Sequence, residues 1–205
     1  SLLVKESPLR KSDSAKKITT SSLRIIGGQW KRRILTFIVV DDLRPTPDRV
    51  RETLFNWLQF EIQGKRCLDA FAGSGALGVE ALSRNAAECV FIEKHAGQAK
   101  QLQQTLTDFG KPMPVLVGDT LQLLNQQKTP FDVVFLDPPY ALSFWQPVCE
   151  LLVKQQLIHA DSWIYIEADR DWSALDLPTE WQAIKNTRAG SVHGFLARYI
   201  PVETL

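Results

Sequence analysis

From residue 23 onward, apolar and polar positions follow two rhythms, and the chain divides where one gives way to the other. Leu23-Arg24-Ile25-Ile26 and Ile34-Leu35-Thr36-Phe37-Ile38-Val39-Val40 are β-prone runs joined through Gly27 and Gly28. They predict a hairpin whose connection carries Lys31, Arg32 and Arg33. Pro45 and Pro47 make the next stretch irregular, because each proline restricts itself and its predecessor. Over 48–60, Val50, Leu54 and Leu58 recur at helical spacing, with Phe55 and Trp57 beside them. After Gly64 short apolar runs alternate with longer amphipathic stretches. Strands are expected at 67–70, 89–92, 113–117, 131–136 and 163–166, with two more inside 181–200. Helices are expected at 76–84, 95–109, 120–127 and through 148–153. This alternation predicts an α/β fold, a mostly parallel sheet with helices on both faces. Ligands of such sheets sit beyond the carboxyl ends of the strands.

Composition narrows the class. The chain has 205 residues, 44% hydrophobic and 23% charged, enough for one substantial core. No stretch approaches the roughly 18 apolar residues of a membrane span, and the N-terminal segment has no apolar run of secretory length. Cys67, Cys89 and Cys149 lie far apart, in or beside apolar runs, and read as buried free thiols of a cytoplasmic protein. Neither cysteine nor histidine spacing suggests a metal site. The net charge of +1 conceals an asymmetry. Residues 1–60 hold 12 Lys or Arg against 6 Asp or Glu, whereas the rest hold 12 against 17. Basic charge gathered at one end suits an arm that meets phosphates, although a solvated basic tail has the same composition. Residues 1–22 read as a flexible tail, 23–47 as the hairpin and basic extension, and 48–205 as the main domain.

The first strand of that domain runs into Asp69-Ala70-Phe71-Ala72-Gly73-Ser74-Gly75-Ala76-Leu77-Gly78, a glycine-rich turn between strand and helix. Glu93 closes the second strand, where a ribose-binding acid belongs. Asp119 follows the third and can accept from an adenine amine. A carboxylate at Asp69 opposes a pyrophosphate but suits an ammonium or a sulfonium. Acids at three strand ends therefore favour S-adenosylmethionine over NAD, with Asp69, Phe71, Gly73, Ser74, Gly75, Glu93 and Asp119 as its candidate contacts.

The fourth strand ends in Asp137-Pro138-Pro139-Tyr140. The prolines remove amide donors and leave carbonyls available, Asp137 can accept a hydrogen bond, and Tyr140 offers a flat surface. An exocyclic base amine attacks poorly because its lone pair is delocalised into the ring. Acceptors at Asp137 and the Pro138 carbonyl would hold its two hydrogens, orient the lone pair and stabilise charge developing on nitrogen. A base reaching this slot must leave its stack, and Tyr140 replaces the lost stacking.

These motifs, together with Leu23-Arg24-Ile25-Ile26-Gly27-Gly28-Gln29-Trp30 and Leu43-Arg44-Pro45-Thr46-Pro47-Asp48-Arg49-Val50-Arg51-Glu52, resemble the RsmD family from about Leu23 to Tyr199. That family methylates guanine N2 in bacterial 16S ribosomal RNA. The resemblance implies a class I Rossmann-like fold with a seven-stranded sheet and an N-terminal β-hairpin extension. It also implies S-adenosylmethionine as donor and, as partner, 16S rRNA within the 30S subunit or its assembly intermediate. Nothing in the sequence demands more than a monomer. Arg24, Trp30, Lys31, Arg32, Arg33, Arg44, Arg49 and Arg51 are the candidate RNA contacts. Trp30 is alternatively an anchor of the hairpin, and Arg49 or Arg51 alternatively a partner for a cleft carboxylate. Adenine-N6 methylation of DNA or RNA, a non-catalytic nucleotide-binding module and an NAD oxidoreductase are the rival readings.

Overall fold

The computed structural model describes residues 18–40 and 45–203. Strands β1 (Thr20–Arg24) and β2 (Ile34–Ile38) pair antiparallel as the expected hairpin. β1 begins at Thr20, inside the stretch read as tail, because a strand open to water on one side can pair through polar residues such as Ser21 and Ser22. Residues 1–17, and with them most of the predicted tail, lie outside the described residues, as does Arg44.

Helix α1 (Asp48–Trp57) leads into β3 (Arg66–Asp69), α2 (Ala76–Ser83), β4 (Glu88–Glu93), α3 (Ala96–Asp108) and β5 (Val115–Val117). Next come α4 (Thr120–Asn125), β6 (Phe131–Leu136), α5 (Trp145–Lys154), β7 (Ile158–Ala168), β8 (Trp181–Ala189) and β9 (Val192–Tyr199). The seven strands β3 to β9 form one sheet, ordered β5-β4-β3-β6-β7-β9-β8. β3 to β7 run parallel, while β9 is antiparallel to both β7 and β8. β7 is far longer than the 163–166 expected, because polar Ser162 is fixed by donating to the Phe131 carbonyl at 2.7 Å and extends the pairing backward past a register shift.

Alternation along the strands divides the core. Cys67, Phe91, Val133, Phe135 and Tyr165 face α1, α2 and α3, and Leu68, Ile92, Val134, Leu136 and Ile164 face α4 and α5. All three cysteines are free and buried. The chain builds outward from β3 to β4 and β5, then returns to place β6 on the other side of β3. The order therefore reverses between β3 and β6, and the crevice above that junction is where an open α/β sheet receives its ligand.

The hairpin is clamped to the domain at both ends. Glu80 of α2, fully buried, accepts from the amides of Ile26 at 2.8 Å and Gly27 at 2.9 Å. Gln98 of α3 donates to the Ile38 carbonyl and accepts from its amide, so a side-chain amide continues the strand's hydrogen bonding. Gly28, at φ +77°, presses its backbone against Ser83; an added Cβ would lie 2.0 Å from the Ser83 carbonyl oxygen. Trp30 is buried against Phe109, their ring centroids 5.0 Å apart.

Candidate active site

Each strand end at the crevice presents a side chain that the parity of its strand places on the same face. Asp69 shares its face with Cys67, Asp137 with Phe135, and Glu167 with Tyr165. Since Leu136 pairs with Ile166 in parallel register, Asp137 and Glu167 stand side by side on adjacent strands. Part of Asp137 reaches solvent, yet its carboxyl is enclosed by packed protein. That enclosure, reinforced by the charge of Glu167 and then of Asp69, pushes its pKa well above the usual carboxylate range.

Glu167 was not visible as a candidate in the sequence, although it obeys the rule that exposed Asp69, Glu93 and Asp137. It is an acid directly closing an apolar strand. It is buried and accepts from Thr46 Oγ1 at 2.8 Å, Tyr165 OH at 2.7 Å and Tyr140 OH at 3.3 Å. Its own carbonyl accepts from Trp145 Nε1 at 2.9 Å. Tyr140 lies nearly parallel to Trp145, with centroids 6.0 Å apart. Glu167 thus joins the loop ahead of α1 to the turn after β6. Thr46, rather than Arg49 or Arg51, is what binds that loop to a cleft carboxylate. The Pro138 carbonyl has no donor among the described residues and stays available.

The donor-side residues also come together. Gly73 donates its amide to Glu93 Oε2 at 2.7 Å, and His95 donates its amide to Oε1 at 3.0 Å, which fixes the carboxylate with lone pairs to spare. Gly75 takes φ +82° at the start of α2, a conformation that glycine adopts without strain. Ser74 turns its hydroxyl inward to accept from Ala76 N at 3.2 Å. Phe71, partly exposed, stacks on Phe144 at 5.7 Å. Asp119 is exposed beyond β5 and caps α4 by accepting from Gln122 N at 3.0 Å.

Asp69 is 2% exposed, and its Oδ2 accepts from Gly78 N at 3.0 Å. It braces the glycine turn from behind, a position from which its charge can act on a ligand through its field. Burial, and secondarily the charge of Glu93, raise its pKa to about 8, against the pull of Gly78.

Among the described residues, no ion pair engages Asp69, Glu93, Asp119 or Asp137. Acids with no protein cation beside them oppose a pyrophosphate and suit a ligand that brings an ammonium and a sulfonium. S-adenosylmethionine fits the residues present: Glu93 would meet its ribose, Asp119 its adenine and the glycine turn its methionine portion. The groups of three or more Cys, His, Asp or Glu that could hold a metal are absent among the described residues. No described helix is long and apolar enough to cross a membrane.

The cationic candidates separate into two sets. Lys31, Arg32, Arg33 and Arg24 are exposed on the hairpin, with Arg33 lying 3.8 Å over the Phe109 ring. Arg32 adopts φ +73° in the connection, where glycine would be relaxed. Arg49 is exposed and donates to the Arg188 carbonyl at 2.8 Å. Arg51 and Trp30 are corrected. Arg51 is fully buried between Asp48 at 2.6 Å and Glu80 at 3.6 Å, and Trp30 anchors the hairpin, so neither has surface left for RNA.

A seven-stranded sheet of this order, with an acid-lined glycine turn and a proline-stiffened acceptor turn across its switch point, defines a Rossmann-like S-adenosylmethionine-dependent methyltransferase. Residues 23–198 match the family described as Conserved hypothetical protein 95. Ribosomal RNA small subunit methyltransferase D of Haemophilus influenzae is 41% identical over 186 residues, covering 86% of this chain and 96% of its own. The protein of the same name in Escherichia coli K12 is 39% identical over 174 residues, covering 84% and 88%. The solved structure of yhhF from Escherichia coli superposes with a TM-score of 0.78 at 39% identity, covering 88% of this chain and 99% of that one. The chain belongs to the ribosomal RNA small subunit methyltransferase D family.

Proposed function

We propose that this protein methylates the exocyclic N2 amine of a guanine in 16S ribosomal RNA, within the 30S subunit or its assembly intermediate. It acts as a cytoplasmic monomer. The observation that carries the reading is Asp137-Pro138-Pro139-Tyr140, seated at the β3/β6 reversal with a buried acid, Glu167, beside it. When bound, S-adenosylmethionine supplies an electrophilic methyl group carried on a sulfonium. The protein's own work is to present the nucleophile. Asp137 and the Pro138 carbonyl accept the two amine hydrogens, while Tyr140 covers the face of the flipped base.

Enclosure in packed protein, beside the Glu167 carboxyl, raises the pKa of Asp137 well above the usual carboxylate range. Its oxygens are therefore strong acceptors for the amine hydrogens as the nitrogen becomes positive. Direct transfer requires no covalent intermediate. Thr46, Tyr140 and Tyr165 hold Glu167 still, and through it Asp137, so little reorganisation accompanies the charge shift. Exposed Lys31, Arg32 and Arg33 bind phosphates and position the RNA without reading its bases.

Nucleoside mass spectrometry of ribosomal RNA from cells with and without the gene tests the assignment. The expected result is loss of one N2-methylguanine from 16S RNA, restored by the wild type but not by Asp137→Ala. In vitro, that variant should lose at least about 10²-fold in turnover with donor affinity little changed. Methyl transfer confined to adenine, or to DNA, would refute the guanine assignment.

A further inference from the structure

We propose that the cavity beside the reaction turn, between the Trp172–Leu175 turn and the β8–β9 hairpin, is a subsite for one unpaired nucleotide flanking the target. The cavity of about 520 Å³ is bordered by Trp172, Asn186, Arg188, His193, Phe195 and Asp171. The inference rests on the methyltransferase reading and adds a second base to the one that reacts.

Its position follows from register. Ile166 pairs with Phe195 and Ala168 with His193, so the cavity wall lies on the opposite sheet face from Glu167, the face against which both Tyr140 and Trp172 pack. From β6 across β7 to β9 are two inter-strand steps, about 10 Å along the sheet. A splayed RNA strand covers that distance in about one or two nucleotides.

Its chemistry is that of base recognition. Asn186 faces Phe195 across the strands and Arg188 faces His193, so all four project from the same side of the hairpin. Trp172 meets Phe195 edge-on at 5.3 Å, which fixes the indole as a wall while leaving it partly exposed. An indole face stacks on any base, an exposed amide offers both donor and acceptor to a base edge, and an exposed guanidinium meets the phosphate. His193 Nδ1 lies 3.5 Å from the exposed carboxylate of Asp171, which marks the acidic side of the cavity rim opposite Arg188. Arg49 donates to the Arg188 carbonyl and ties the hairpin tip to α1, adding a second cation on the same edge.

The test uses the full-length protein and small subunits lacking the modification, including particles whose rRNA carries a changed nucleotide on either side of the target. Trp172→Ala should raise KM for the particle about tenfold, the size of a lost base–aromatic stack, and Trp172→Phe should restore most of it. Donor affinity and saturated turnover should hold. Asn186→Ala, an exposed site whose fold is safe, should erase whatever preference the wild type shows at one flanking position. Folded variants with wild-type KM and unaltered flank preference would overturn the subsite while leaving the methyltransferase assignment standing. A wild type that methylates no guanine in any particle would overturn both.

Discussion

Glu80 offers the sharpest test of how the arm is held, because its partners can be counted. The fully buried carboxylate takes two amide hydrogens from the hairpin at 2.8 and 2.9 Å, pairs with Arg84 at 3.0 Å and stands 3.6 Å from buried Arg51. In Glu80→Ala, the amides of Ile26 and Gly27 lose their acceptor, at about 1–3 kcal/mol each with water entry favouring the lower end. The partly exposed Arg84 contact adds about 0.5 kcal/mol at most. Arg51, whose Nε already lacks a partner, loses one of its two carboxylates, which adds about 1–2 kcal/mol. The total is about 4 kcal/mol. For a domain of this size that lowers Tm by roughly 8–16 °C. Thermal unfolding by circular dichroism measures it, with Glu80→Gln expected near half the loss since it keeps one acceptor. Adding Arg51→Met to Glu80→Ala should recover part of the loss by removing the stranded cation. A melting temperature within about 2 °C of wild type, or further destabilisation in the double variant, would show that the hairpin is not held by this carboxylate.

Asp69 sets a pH dependence. Its folded pKa of about 8 exceeds the ordinary value of 3.8, so its contribution to stability is complete below about 4 and is lost as pH rises toward 8. Melting temperature without donor should fall across that window and flatten in Asp69→Asn. A cationic donor favours the ionised acid. Its binding near pH 7 should therefore release protons, visible by calorimetry in buffers of different ionisation enthalpy, and absence of release would contradict the field role. Neutralising Arg32 and Arg33 together should reduce the salt dependence of RNA binding by about two phosphates, and an unchanged slope would remove them from the RNA face.

The sequence exposed features whose cause is local. Strand parity, helical spacing and the acids at strand ends predicted the sheet and the positions of Glu93, Asp119 and Asp137, since each depends on neighbours within a few residues. What escaped depends on contacts across the fold. Glu167 acquires meaning only because β7 pairs with β6 in the register that sets it against Asp137. Glu80 reads as an ordinary acid in a short helix until the hairpin folds back over it. Trp30 and Arg51 sit in a basic segment and invite an RNA role, yet the docking that brings the arm into place also encloses them. Charge in sequence reports composition, whereas burial decides which charges are available.

Helix α3 meets the donor site and the arm within a single turn. His95, its cap, follows Glu93 by two residues, and Gln98 seizes the hairpin three residues later. The arm and the Glu93 carboxylate are consequently yoked through one turn of backbone, so a displacement of either one is transmitted to the other.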